Sequence, residues 1–142
     1  MFKKFLKKKQ EIQNNDNERV LIISLLIHAA RIDENYTDSE KNIISKAIVE
    51  LYKIKPEEAG KLIELAEKKE GESNQIIEFT KEIKKYSMEF KLKIVEIIWK
   101  IVYSDDTCDS YESTLIRRIC GLLYVSDKDN GIIKTKVQNS LK

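Results

Sequence analysis

Two acidic segments are the parts of this 142-residue chain best suited to chemistry. "RIDENYTDSE" spans 31–40 and "YSDDTCDSYE" spans 103–112, and in each an aspartate precedes a glutamate by seven residues. The four carboxylates concerned are Asp33, Glu40, Asp105 and Glu112. Oxygen ligands of this kind select hard cations such as Ca²⁺ or Mg²⁺ over Zn²⁺. The sequence therefore suggests a divalent-cation site as one hypothesis.

The two acidic segments belong to an internal repeat. Residues 30–52 align with 102–124 at a constant offset of 72, with 5 identities in 23 positions. The identical pairs are Asp33 and Asp105, Glu40 and Glu112, Ile44 and Ile116, Leu51 and Leu123, and Tyr52 and Tyr124. This pattern predicts two helix–acidic loop–helix units related by an approximate two-fold. If the units face each other, the four carboxylates gather, which favours either a bound cation or a raised carboxyl pKa.

Helix capping is the competing interpretation of the same acids. Thr37 with Glu40, and Asp109 with Glu112, both fit the capping-box pattern. Acidic side chains in a first turn also suit the helix dipole, by about 0.3–1 kcal/mol each. Capping does not account for the two loop aspartates, which lie four residues before the predicted caps. Capping alone, and capping combined with a weak cation site, both remain open.

Other reactive side chains give little sign of an enzyme. Cys108 and Cys120 do not make a disulfide framework, and a single histidine, His28, leaves no Cys/His metal pattern. His28 aligns with Lys100, a residue type that prefers solvent. A paired-carboxylate hydrolase would need a cleft and a set of substrate-positioning residues that the sequence does not show. We therefore expect no enzymatic activity.

Composition predicts a soluble, all-α protein of one domain. The chain has 4 glycines and 1 proline, too few for many tight turns or hairpins, and 35% charged against 42% hydrophobic residues. The longest apolar run, "VLIISLLIHAA" (20–30), is shorter than the roughly 20 residues of a membrane span. Two cysteines without a disulfide pattern suit a reducing compartment, so we expect a cytoplasmic protein.

The charge is unevenly distributed. The net charge of the chain is +2, but the first nine residues alone carry +5, from Lys3, Lys4, Lys7, Lys8 and Lys9. Residues 10–142 therefore have a net charge of −3. The mildly acidic body gives no electrostatic reason to expect a nucleic-acid partner. We predict a basic tail over 1–16, with "NNDNE" (14–18) as a linker and helix start, and a helical domain over 17–142. The tail could contact an anionic membrane weakly, although its composition favours a solvated or loosely docked segment.

Apolar spacing predicts seven core helices. Val20 to Ile32 is apolar on nearly all sides, as a central buried helix would be. The expected starts of later helices are Thr37, Pro56, the residues before Ile76, Ser87, Asp109 and Ser126–Asp127. "EGES" (70–73) is expected to end the third helix.

With these acidic units in place, the chain resembles the TerB-like tellurite-resistance family. The resemblance rests on two "D-x-x-[Y/C]-[T/D]-x-x-E" units, and it is closest over "IVEIIWKIVYSDDTCDSYESTLIRRICGLLYVSD" (94–127). That stretch is similar to an uncharacterised alphaproteobacterial TerB subgroup. The similarity extends over about residues 19–139 and leaves out the basic tail.

The resemblance implies a compact seven-helix bundle in a bacterial protein with no established enzymatic activity. It also implies a metal site at Asp33, Glu40, Asp105 and Glu112. The family is associated with stress and tellurite resistance and, through a related domain, with membrane-tethered co-chaperones. This chain departs from the family where Glu34 and Asp106 replace the usual glycine after the loop aspartate. A protein-interaction adaptor whose acids only cap helices, with an unknown protein partner, is the alternative to the cation-binding domain.

Overall fold

The chain folds into seven α-helices and one short 3-10 helix in a computed structural model, which describes residues 2–32, 36–72, 76–105 and 110–140. The helices are α1 (Phe2–Ala30), α2 (Asp38–Tyr52), α3 (Pro56–Glu72), α4 (Ile76–Ile83), α5 (Met88–Val102), α6 (Ser110–Leu122) and α7 (Asp127–Ser140), with the 3-10 helix Tyr103–Asp105 after α5. These ranges contain no β-strand. The predicted all-α class and the seven-helix architecture are confirmed.

Local signals set the starts of several helices. Thr37 Oγ1 accepts the backbone N–H of Glu40 (3.1 Å), and Glu40 Oε1 accepts the backbone N–H of Thr37 (3.0 Å). The predicted capping box is therefore present at α2. Ser87 and Ser126 each accept a backbone N–H from three residues further on, at 3.2 and 3.1 Å. Pro56 is the first residue of α3, where its missing N–H removes no helical hydrogen bond. The predicted cap of α6, Asp109, lies outside the described residues.

Helix α1 is longer at its start than the sequence pattern predicts. It runs from Phe2 without a break through 14–18, the residues expected to form a linker. Asparagine and aspartate are weak helix formers, but neither glycine nor proline interrupts this stretch, and helix propagation is far easier than nucleation. The prediction of a linker is therefore wrong. The division into a tail over 1–16 and a domain over 17–142 stays a prediction.

The second half of α1 is the centre of the core, as its apolar pattern predicts. Ile23, Leu25, Leu26 and Ile27 are fully buried, and α2, α3, α4, α5 and α6 all pack against this helix. Trp99 of α5 is also buried, and its indole N–H donates to Asn130 Oδ1 of α7 at 2.9 Å. Within the described ranges, none of the helices combines the length and the apolarity needed to cross a bilayer.

The internal repeat persists in the fold, although its register changes by one residue. Ile44 and Ile116 are equivalent and both fully buried. The helices α2 and α6 then end alike, because the residue after each terminal turn has a left-handed backbone, Lys53 at φ 53° and Tyr124 at φ 61°. Lys53 is thus equivalent to Tyr124, and the offset is 71 instead of 72 at this end.

The change of register separates the two tyrosines that the sequence aligns. Tyr52 is partly buried within the bundle, whereas Tyr124 is 72% exposed. The left-handed residue of each helix end faces outward, and α6 reaches that residue one position sooner than α2. The predicted equivalence of Tyr52 and Tyr124 is therefore wrong in three dimensions.

Candidate cation site

The two glutamates of the acidic repeat occupy matching and unusual positions. Glu40 lies in the first turn of α2 and Glu112 in the first turn of α6, and each is only 7% exposed. Asp105 is the last residue of the 3-10 helix that follows α5. Asp33 and the side chain of Asp105 lie outside what the structure describes. The gathering of all four carboxylates therefore stays a prediction.

Glu40 is buried more deeply than capping alone requires. Its Oε1 accepts both the backbone N–H and the hydroxyl of Thr37, each at 3.0 Å, so the capping interpretation is confirmed at this unit. A first-turn glutamate can make such bonds while its outer face stays in water. Removing a carboxylate from water costs free energy that polar or charged neighbours must offset. Both Glu40 and Glu112 have further polar partners within the fold.

Two side chains bracket the first acidic loop. The guanidinium of Arg31, just before the loop, lies 5.2 Å from the ring centroid of Tyr36, just after it. A cation over an aromatic face is attracted by the negative charge of the ring face. The described residues on either side of 33–35 therefore contact each other.

Glu70 of α3 anchors the base of this loop and was missed by the sequence analysis. Its Oε1 accepts the Nδ1–H of His28 at 3.2 Å, and its Oε2 pairs with the guanidinium of Arg31. The helix α3 ends at Glu72, within the predicted stop at 70–73, and Glu70 lies in its last turn on the buried face. The available signal was a carboxylate at core spacing, four residues after the buried Ala66.

The surroundings of Tyr36 are rich in negative charge. Burial, reinforced by the carboxylate of Glu67, raises the pKa of Tyr36 to about 12, and the charges of Glu40 and Glu70 act in the same direction. Arg31 opposes them. The buried Tyr36 hydroxyl has no hydrogen-bond partner among the residues that the structure describes. Several carboxylates thus lie near the first unit, and the negative electrostatic potential that they create there favours a positive charge.

The other candidate side chains have structural roles. His28 is bound to Glu70, as described above. Cys120 is 1% exposed in the core of α6, and burial raises the pKa of its thiol to about 12. The remaining cysteine, Cys108, lies outside the described residues.

A cavity of about 750 Å³ borders both acidic segments. Ser39, which precedes Glu40, and Ser104, which precedes Asp105, both line it. The repeat thus places its two acidic segments beside one space. Among the described residues, no group of three or more His, Cys, Asp or Glu side chains could hold a metal ion. Asp33 and the side chain of Asp105 lie outside those residues.

Comparison with known proteins gives one result. A family model described as "Tellurite resistance protein TerB" matches residues 19–135. No curated protein sequence and no solved structure matches the chain. The matched range begins near the buried half of α1 and ends within α7, so it includes both acidic units.

Proposed function

Since the chain belongs to the TerB family of tellurite resistance proteins, we propose that it is a non-enzymatic, divalent-cation-binding member of that family. Asp33, Glu40, Asp105 and Glu112 would supply carboxylate oxygens, and water or backbone carbonyls would complete the shell of Ca²⁺ or Mg²⁺. The cation supplies positive charge between the two units. We place this domain in a cytoplasmic response to stress, including tellurite.

The matched burial of Glu40 and Glu112 is the observation that carries the proposal. Both glutamates are 7% exposed in the first turns of equivalent helices, although a first-turn carboxylate needs no such burial. Both glutamates already have polar partners within the fold, and a cation would add to what offsets the cost of holding carboxylates away from water.

Two features favour a role without catalysis. His28 donates to Glu70, so its ring serves an ion-pair cluster. Cys120 is held as a thiol by its raised pKa of about 12, and a thiol is a far weaker nucleophile than a thiolate. Neither side chain offers an activated base or nucleophile.

A thermal melt of chelator-treated protein tests the cation site. Ca²⁺, Mg²⁺, Mn²⁺ and Zn²⁺ are added singly, and unfolding is followed by the fluorescence of Trp99, the single tryptophan. An ion that binds only the folded state stabilises it by about 2.7 kcal/mol at a concentration of a hundred times Kd. We expect Ca²⁺ or Mg²⁺ to raise the melting temperature, and the rise to vanish in Asp33→Asn/Asp105→Asn.

The matched control is Glu57→Gln/Glu89→Gln, which neutralises two exposed first-turn glutamates of α3 and α5. This variant should respond to the ion as the wild type does. A flat response of the wild type to every ion would overturn the proposal, and so would a rise that persists in the double aspartate variant.

The alternative role as a protein-interaction adaptor is favoured by a different observation. The cavity that borders the acidic segments is an open groove between α2 and α5 with an apolar floor. The shape and charge of this groove would suit a segment of a partner protein.

A further inference from the structure

We propose that the groove between α2 and α5 binds an acidic amphipathic helix of a partner protein. The α2/α5 groove is the 750 Å³ cavity named above. The residues that line it are Ser39, Ile43, Lys46, Ala47, Glu50 and Leu51 of α2 and the C-cap residue Lys53, Lys93, Glu96, Ile97 and Lys100 of α5, and Ser104 and Ser140. This inference goes beyond the proposed cation site and does not depend on it.

The floor of the groove is apolar because α2 has a wider apolar face than its packing uses. Ile44 and Ile48 are buried in the core at 0 and 1% exposure. Ile43, Ala47 and Leu51, one position to the side, are only partly buried: they pack against the edge of the core and also line the groove. A helix packed on one side needs a single apolar stripe, so the part of the second stripe that faces the groove can bind another surface.

The dimensions of the groove suit a helix. Its α2 wall extends from Ser39 to Lys53, which at 1.5 Å per residue is about 21 Å, the length of a helix of about 14 residues. Ala47 lies midway along this wall between Ile43 and Leu51. Its small side chain leaves space for one large apolar side chain of the partner, as in other helix-in-groove complexes.

The margins of the groove are predominantly positive. Four lysines and two glutamates line it, and Glu96 is already engaged by Lys136 at 3.2 Å and lies 3.9 Å from Lys100. Lys46, Lys53 and Lys93 form no ion pair with the residues that the structure describes. Residues 10–142 carry a net charge of −3, so this excess of lysine is local. Acidic residues flanking the apolar stripe of a partner helix would complement it.

The same charge argues against the basic N-terminal stretch of a second copy as the occupant. That stretch carries Lys3, Lys4, Lys7, Lys8 and Lys9 with no acidic residue among them. Its lysines would meet those of the groove, and like charges brought together oppose association. The charge pattern therefore favours an acidic partner.

Fluorescence anisotropy with synthetic peptides tests the proposal. The probe is a labelled helix of about 14 residues with leucines at i, i+3, i+4 and i+7 spacing and glutamates beside them. One comparison peptide keeps the leucines but replaces the glutamates with lysines, and another scrambles the sequence. We expect the acidic amphipathic peptide to bind at least tenfold more tightly than either.

Three variants locate the binding. Ala47→Leu fills the central space of the groove, and Lys46→Glu/Lys93→Glu reverses its charge. Each should raise the Kd of the acidic peptide at least tenfold. The matched control, Lys61→Glu/Lys68→Glu, makes the same charge change at exposed positions of α3 and should leave the Kd within twofold. Circular dichroism melts verify that all variants remain folded.

Several outcomes would overturn the proposal. If the lysine-flanked peptide bound as tightly as the acidic one, charge complementarity would not explain the binding. If the α3 control lost as much affinity as the groove variants, the peptide would not bind in the α2/α5 groove. Binding of dodecanoate but not of the peptide would assign the groove to an anionic lipid. A dimer in light scattering that Ala47→Leu dissociates would make a second copy the occupant.

Discussion

The guanidinium of Arg31 lies 5.2 Å from the ring centroid of Tyr36, and these two residues stand on either side of the first acidic loop. Arg31 also pairs with Glu70 of α3, which binds His28 as well. Arg31, just before the loop that would supply Asp33 to a cation, is therefore bound to a helix far away in sequence. Removing the carboxylate of Glu70, which binds both Arg31 and His28, should therefore lower the free energy of unfolding.

Glu70→Gln tests the anchor. The variant keeps the size of the side chain but removes its charge, so Arg31 loses its ion pair. We expect the free energy of unfolding to fall by about 1–3 kcal/mol, in the range for a part-buried hydrogen bond to a charged group. Urea denaturation followed by Trp99 fluorescence measures it. Glu72→Gln, exposed at the end of the same helix, is the control, and an equal loss in both variants would contradict the role of Glu70.

Two tyrosines should respond in opposite ways to loss of the hydroxyl. Tyr86 donates to Glu18 Oε2 at 2.6 Å, so Tyr86→Phe should lower the free energy of unfolding by about 1–2 kcal/mol. The hydroxyl of Tyr52 is buried without a hydrogen-bond partner in the described part of the chain. Tyr52→Phe should therefore leave stability unchanged or raise it by up to about 1 kcal/mol. Parallel urea titrations compare the two, and a larger loss for Tyr52→Phe would show this assignment to be wrong.

Stability should decrease at alkaline pH. Burial raises the pKa of Cys120 from 9.0 to about 12 and that of Tyr36 from 10.0 to about 12. The unfolded chain then loses these protons before the folded chain does. Their stabilising contribution is complete below pH 9 and falls as the pH rises towards 12.

Variants identify the groups responsible for the alkaline loss. Urea unfolding between pH 9 and 12 should show a smaller decrease in Cys120→Ala and in Tyr36→Phe than in the wild type. Tyr124→Phe, at a position 72% exposed, should retain the full decrease. Parallel pH profiles for all four proteins would refute the assignment.

The two roles of Glu40 can be separated by mutation. Thr37→Ala removes the cap acceptor and should lower the free energy of unfolding by about 0.5–2 kcal/mol, with or without a cation. Glu40→Gln keeps an oxygen that can accept the backbone N–H of Thr37. In chelator-treated protein it should therefore lower the free energy of unfolding by less than Thr37→Ala does. It should nevertheless abolish the stabilisation by Ca²⁺ or Mg²⁺. A cation response that survives Glu40→Gln would leave Glu40 as a helix cap alone.

Features that depend on neighbouring residues could be predicted from the sequence. The pairing of Thr37 with Glu40, the proline start of α3 and the serine cap of α5 all occur as expected. Each involves hydrogen bonds or backbone angles within one helical turn. The buried centre of α1 could also be predicted, because a helix that is apolar on all sides has no face for water.

Two expectations failed where neighbouring residues do not decide the structure. The polar stretch 14–18 continues α1, since a helix can extend through weak helix formers once it has nucleated. The alignment of Tyr52 with Tyr124 failed because the left-handed residue after α6 comes one position sooner in the repeat than the one after α2. A sequence alignment at constant offset cannot detect such a change.

The sequence by itself determined the helices, their caps, the apolar stripes and the acidic repeat, because these depend on contacts within a few residues. Tertiary structure alone decided that Glu70 meets His28, 42 residues away, and that Ile43, Ala47 and Leu51 line a groove at the edge of the core. Such outcomes depend on which helix faces pack together. Packing geometry arises from the whole set of buried side chains, and no local pattern specifies it.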